Sequence, residues 1–225
     1  MGSNAVSQNL IAQVVGYNLT KLYNNLSSPN LPQNIVVLGE ANDANQSGLT
    51  ADTLVQITSA AQAASLYGSG SPLHLVSRIL FPQGGQGVSV PVFIAPQAKA
   101  SGAVAKVITV TPTGTATAAG TIFLNISGRE LVDGKSYAVA VAVGDTPTAI
   151  STKMQAAVAN VLASPVIASG TTTCVLTAKW SGLTSNDITV SVDTQGQSLG
   201  VTFSVASTTA GSGTHTTANA LNNFA

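Results

Sequence analysis

The sequence predicts an α+β chain, a small α/β unit followed by a mainly β unit with one helix packed on its sheet. Three observations predict it. Residues 54–96 read as strand, helix, Gly-rich turn, helix, glycine loop, strand. The string YAVAVAV (137–143) alternates strictly, as a half-buried strand should. Thr146-Pro147 opens the one clear helix of an otherwise β-rich stretch.

In chain order, residues 1–30 allow two readings. Val6, Leu10, Val14, Leu22 and Leu26 fit an amphipathic helix interrupted by Gly16, while Val14-Val15-Gly16-Tyr17 fits a strand in an extended arm. The α/β unit spans 31–98, with a polar loop at 40–53. Ser59 N-caps a helix containing Ala60, Ala61, Ala63, Ala64 and Leu66, and Gly68 and Gly70 end it. Ser71-Pro72 opens a second helix, with Leu73, Val76 and Leu80 on one face and Leu75 and Ile79 widening it. Pro82 and Gly84-Gly85 end that helix. Val88, Val90, Val92 and Ile94 make the next strand.

Residues 97–105 read as a linker into the β unit. Strands are expected at 106–111, 121–127, 136–143, 172–179, 187–192 and 201–206, with a tight reversal at Asp133-Gly134. The helix is expected over 146–163, with Ile150, Met154, Ala157, Val158 and Val161 facing one side. Residues 207–225 begin as a Gly/Ser/Thr linker and end in what reads as the first turn of a helix, Thr217 to Phe224.

Composition narrows the function. Apolar residues make up 44% of the chain and charged residues only 7%, against about 25% in ordinary soluble domains. A real core is supported, and disorder, which needs low hydrophobicity and high charge, is not. Eight Lys+Arg balance eight Asp+Glu without a basic run, so binding nucleic acid by phosphate neutralisation is not expected. A surface so poor in charge repels copies of itself weakly. No apolar run reaches the ~18 residues of a membrane helix. MGSNAVSQNL lacks the pattern of a secretory signal, so the expected product is soluble and made in the cytoplasm. The sequons at Asn18, Asn25, Asn45 and Asn125 then carry no glycan.

No catalytic, cofactor or metal site is expected. His74 and His215 have no partner at ligand spacing. The lone Cys174 reads as a core thiol, and Trp180 as the edge of a core. The carboxylates Glu40, Asp43, Asp52, Glu130, Asp133, Asp145, Asp187 and Asp193 nearly all fall in turns or at strand ends. Asp145 and Asp187 read as turn formers. Gly68-Ser69-Gly70-Ser71 precedes a helix N-terminus that could hold an anion. It lacks a lysine, and capping explains it.

The string ITSAAQAASLYGSGSPLHLVSRIL resembles the tail sheath proteins of Mu-like contractile-tailed phages, in which a strand is followed by "TS-x-x-QA-x-x-L-[FY]-G-x-GS-x-L". Thr58, Ser59, Gln62, Ala63, Leu66, Tyr67, Gly68, Gly70, Ser71 and Leu73 match. Upstream, Leu31-Pro32-Gln33 and Ile35-Val36-Val37-Leu38-Gly39 resemble the family's preceding strand. Downstream, GTATAAGT (114–121), AVGDTPTAI (142–150) and LTAKWSGLTSNDI (176–188) resemble its inserted domain. The resemblance covers most of residues 31–193.

It implies an N-terminal arm at 1–30, with Val14, Val15, Gly16 and Tyr17 as the arm strand, although the family's preceding proline is missing. It implies a sheath-core domain from 31–98 and 208–225, and an inserted outer domain at 99–207. Such subunits stack as six-fold rings around a tail tube, a helical assembly of non-closing contacts. Terminal arms add strands to neighbouring subunits. Contraction then drives the tube through the host envelope without nucleotide. The implied partners are other copies of the chain, the tube protein, the baseplate and the tail terminator, in a virion tail made in bacterial cytoplasm. The family continues past residue 225, so either an N-terminal fragment, monomeric in isolation, or an unusually short relative is expected, the cut helix turn favouring the fragment. The competing reading is a bacterial surface adhesin or carbohydrate-binding β-domain.

Overall fold

The computed structural model describes residues 33–51, 53–82, 87–128 and 135–215. The expected arm strand at Val14–Tyr17, the Asp133-Gly134 reversal, the Gly84-Gly85 stop and the helix turn at 217–224 lie outside the described residues. So do Asp52, Glu130 and Asp133. The fold is α+β, and its described elements belong to one compact unit that begins at Asn34.

The first sheet holds β1 (Ile35–Glu40), β2 (Val55–Ile57) and β3 (Val92–Gln97) in the order β1-β3-β2. β1 and β3 are parallel, pairing Ile35 with Val92 and Glu40 with Gln97. A parallel pair needs a long crossover, and α1 (Ala60–Tyr67) and α2 (Pro72–Leu80) lie on it. β3 starts at Val92 rather than Val88, because Pro91 has no N–H to give a ladder. The loop expected at 40–53 holds a 3-10 turn, Asp43–Gly48.

The helix starts are built from their caps. Ser59 Oγ accepts from Gln62 N (3.2 Å), while the Gln62 side chain accepts from Thr58 N (2.9 Å). Ser71 Oγ accepts from His74 N at 3.1 Å. Each satisfies an N–H that the helix itself cannot. The buried face of α2 differs from the expected one. Leu73, His74, Leu75 and Ser77 are buried, Val76 is half-buried and Ile79 is 57% exposed. Ser77 can face inward because its hydroxyl donates to Leu73 O at 2.7 Å. The first core comprises Ala41, Ile57, Ala63, Tyr67, Leu73, Val92 and Ile94. Burial pushes the Tyr67 phenol up to about 12.

The β-rich part was expected as a single sheet and is two. Its strands are β4 (Val107–Thr113), β5 (Gly120–Ser127), β6 (Lys135–Val141), β7 (Val166–Ser169), β8 (Cys174–Ala178), β9 (Thr189–Asp193) and β10 (Thr202–Thr209). One sheet runs β10-β4-β8-β7 and the other β6-β5-β9, with every neighbour antiparallel. β7 was not anticipated. On β6 the expected alternation holds, with Tyr137, Val139 and Val141 buried and Ala138 and Ala140 exposed.

The helix α3 (Pro147–Ala159) is capped by Thr146 Oγ1 and stops at Asn160, before the expected 163. It packs on β6 and on β4, β7 and β8, and so spans both sheets. Ile150, Met154 and Val158 enter one core with Val110, Ile122, Leu124, Leu176 and Trp180. Ala157 and Val161 pack on it as half-buried neighbours.

The two expected linkers are tied down. Val104 and Ser212 form an antiparallel bridge, with N–H to carbonyl distances of 2.9 and 3.0 Å. β10 runs on to Thr209, past the expected strand end at 206.

Candidate functional site

Where the two cores meet, the chain places a band of polar groups. From the first sheet come Glu40 at the end of β1, Asn42, Asp43 and the Ser69-Gly70 turn after α1. Facing them is the stretch Lys179–Thr184, which leaves β8 and enters a second 3-10 turn, Leu183–Asp187. Asp43 N donates to Lys179 O at 2.8 Å. The Asp43 carboxylate accepts from Ser181 N (3.1 Å) and from Ser181 Oγ (2.5 Å), and pairs with Lys99 Nζ at 2.7 Å. Lys179 Nζ reaches the other way and donates to Ser69 O and Leu162 O, both at 2.9 Å. Burial lowers its ammonium below the ordinary lysine value. Asn42 Nδ2 also donates to Ser69 O, at 3.0 Å.

Glu40 is 3% exposed and accepts from Thr184 Oγ1 at 2.8 Å. Thr184 in turn accepts from the indole of Trp180 at 3.1 Å. On the far side of the carboxylate, His215 Nδ1 lies 3.9 Å from Glu40 Oε1. Backbone approaches closely at two glycines. A Cβ on Gly70 (φ +84°) would lie 2.1 Å from Ser164 O, and one on Gly182 (φ +115°) 2.6 Å from His215 Cε1.

The hydroxyls of Ser181, Thr184 and Ser185 are committed as donors to Asp43, Glu40 and the Gly182 carbonyl. Ser185 and Trp180 are wholly buried. Through these hydroxyls the arrangement ties the two cores to each other. A groove of about 490 Å³ runs beside it, between α1 and α2 and the Leu162-Ala163 turn. A second, of about 310 Å³, lies on β5, β6 and β9 near Asn125, Lys135 and Ser191.

The remaining candidates are dispersed. Cys174 is fully buried, and desolvation pushes its thiol up to about 12. Trp180, expected at a core edge, is 0% exposed and inside the core. His74 is buried, and its Nδ1 accepts from Gly70 N at 2.9 Å. His215, expected in a linker, has its side chain only 5% exposed. Asp145 pairs with Lys153 and accepts from Ala142 N at 2.7 Å. Those hydrogen bonds hold its carboxyl below the usual range. Asp193 accepts from Gln195 N at 2.7 Å. Asp187 closes the second 3-10 turn. Of the carboxylates, Glu40 and Asp43 come to the same junction. No cluster of three potential metal ligands occurs among the described residues. The assembly residues Val14, Val15, Gly16 and Tyr17 lie outside the described residues.

Sequence reasoning missed the junction itself. Its one local signal was Gly182, whose positive φ marks the close approach. Compared with known proteins, the chain matches no family model and no curated protein. Among solved structures it matches the D1-D2-D3 domains of the flagellar cap protein FliD from Escherichia coli. The identity is 25%, over 47% of this chain and 35% of that one, with a TM-score of 0.30. The matched part thus spans about a third of that solved chain.

Proposed function

We propose that this chain is a structural subunit of a contractile tail sheath of the Mu-like kind. Copies stack as six-fold rings around a tail tube, and the lattice shortens to drive the tube through a host envelope. In this reading the sheet β1-β3-β2 with α1 and α2 belongs to the sheath core, and the two β-rich sheets form an outer domain. Contacts between neighbouring copies are assigned in this reading to Val14, Val15, Gly16 and Tyr17, which lie outside the described residues. The partners are other copies of the chain, the tube protein, the baseplate and the terminator, in the virion tail.

The observation that carries the reading is the order of three resembling segments, at 31–73, 114–150 and 176–188. The folded form gives these segments physical tasks. Ser59 and Ser71 are caps, Gly68 and Gly70 make close turns, and Lys179, Ser181 and Thr184 lock the two cores. A subunit that rotates and slides within a lattice must move as a rigid body, and a hydrogen-bonded junction between cores supplies that rigidity.

The test is negative-stain electron microscopy of the product of the complete reading frame, expressed with and without the adjacent tube protein. Striated hollow rods are expected. Small globular particles under both conditions, together with glycan binding by the β-rich part, would replace this reading with that of a surface binding domain.

A further inference from the structure

Each of the three sheets ends in two edge strands, and all but one of these edges are short or charged. β2 has three residues and β7 four, β1 ends at Glu40, β6 begins at Lys135 and β9 ends at Asp193. Short length and charge are the usual means of keeping an edge from pairing with another chain. β10 uses neither. It has eight residues, Thr202–Thr209, and no Asp, Glu, Lys or Arg stands between Thr194 and Thr214. One of its edges pairs with β4, and the other pairs with no strand among the described residues. A bulge between Ser207 and Thr209 bends the far end, which leaves Thr202–Ser207 as the regular run.

On the core side that run is only partly covered. Phe203 and Val205 stand opposite Pro112 and Val110 of β4, and so share the buried face of the sheet. Phe203 packs on the core, yet Val205 is 39% exposed. The apolar layer thus ends uncovered at β10. The other face of the run, Thr202, Ser204 and Ala206, is exposed and uncharged.

We propose that this edge pairs with the same edge of a second copy, β10 antiparallel to β10 about a two-fold axis at Ser204, joining two four-stranded sheets into one of eight. The axis sets Phe203 of one copy opposite Val205 of the other on the core side, and Thr202 opposite Ala206 on the outer side. An aromatic residue opposite a β-branched one is a stabilising cross-strand pair, and here it covers Val205. Main-chain groups of the two edges bond each other in place of water. The occupant follows from composition. An edge without charge offers nothing to select a charged segment, whereas its own sequence, reversed about Ser204, meets it with small, β-branched and aromatic side chains. The contact is isologous. A single strand pair falls at the small end of specific interfaces, about 1,200 Å², so the association is weak and depends on protein concentration. It departs from the monomer expected of an isolated fragment, and it does not depend on the sheath reading.

The experiment is sedimentation velocity of the 225-residue chain over a concentration series. The wild type is expected to move from the mass of one chain toward that of two as concentration rises. Ser204→Lys and Ser204→Glu each set like charges opposite one another across the axis, and each alone is expected to stay monomeric. An equimolar mixture of the two is expected to associate again, because lysine then faces glutamate. Ser204 is exposed, so neither variant disturbs the core. Ser191→Lys, on the exposed face of β9, is the control and should associate as the wild type does. A wild type that stays monomeric would overturn the proposal and leave the edge to a strand of another protein or to none. Single variants that associate as well as the wild type, or a mixture that associates no better than its components, would overturn it too.

Discussion

Gly70→Ala tests whether the two cores are pressed together as the junction requires. The glycine has φ +84°, where an L residue costs about 1–2 kcal/mol. The added methyl would also lie 2.1 Å from the carbonyl oxygen of Ser164 and 3.1 Å from Lys179 Nζ. Ser164 is buried and is followed by Pro165 and β7, so the clash falls on backbone rather than on the free end of a flexible side chain. Overpacking of this kind costs about 1–3 kcal/mol more. The whole penalty is therefore about 2–5 kcal/mol. Gly102→Ala is the matched control. It has φ +72° with open space around the added methyl, so it carries the backbone strain alone. Urea unfolding followed by the fluorescence of Trp180, the chain's single tryptophan, would compare the two. Gly70→Ala should shift the midpoint to lower urea by the larger amount with an unchanged slope. Equal losses in the two variants would refute the close approach of the α1–α2 turn to Ser164.

Asp43→Ala removes the acceptor of Ser181 N and Ser181 Oγ as well as the partner of Lys99. Ser181 is buried, so the loss should be about 2–3 kcal/mol, as for other hydrogen bonds to a charged group. Calorimetry should show it as a lowered transition temperature. Cys174 gives a pH signature. Its folded-state thiol is pushed up to about 12, so stability is full below the unfolded value of 9.0 and falls as pH rises above it. The limiting slope is about 1.4 kcal/mol per pH unit. Urea midpoints at pH 8 and 10 should differ less in Cys174→Ala, and a thiol reagent should label the native chain only as fast as it unfolds.

Local chemistry was readable. The caps at Ser59, Ser71 and Thr146 stand where serine or threonine precedes a helical run, because capping is decided within four residues. The alternation on β6 likewise reports one buried face. What the sequence hid was long-range. β7 is four residues between Pro165 and Gly170, too short for a period to emerge. One sheet or two depends on which strands pair, and β4 finds β10 and β8 while passing over its chain neighbour β5. Ser77 reads as polar but is buried, because it bonds its own helix. The junction joins Asp43 to Ser181 across 138 positions, and nothing near either residue announces the other. The segments at 97–105 and 207–215 have linker composition, yet Val104 and Ser212 pair with each other.

That last pairing has a use in protein engineering. β4 and β10 lie side by side, and the bridge at Val104 and Ser212 brings the chain into the β-rich part and out of it at one place. A loop of a few residues could join those two points, or a foreign domain with neighbouring termini could be spliced between them. The Lys179–Thr184 contacts set the cost of such a graft. A replacement would have to cover the polar face around Glu40 and Asp43, or those residues would need to be made apolar at the same time.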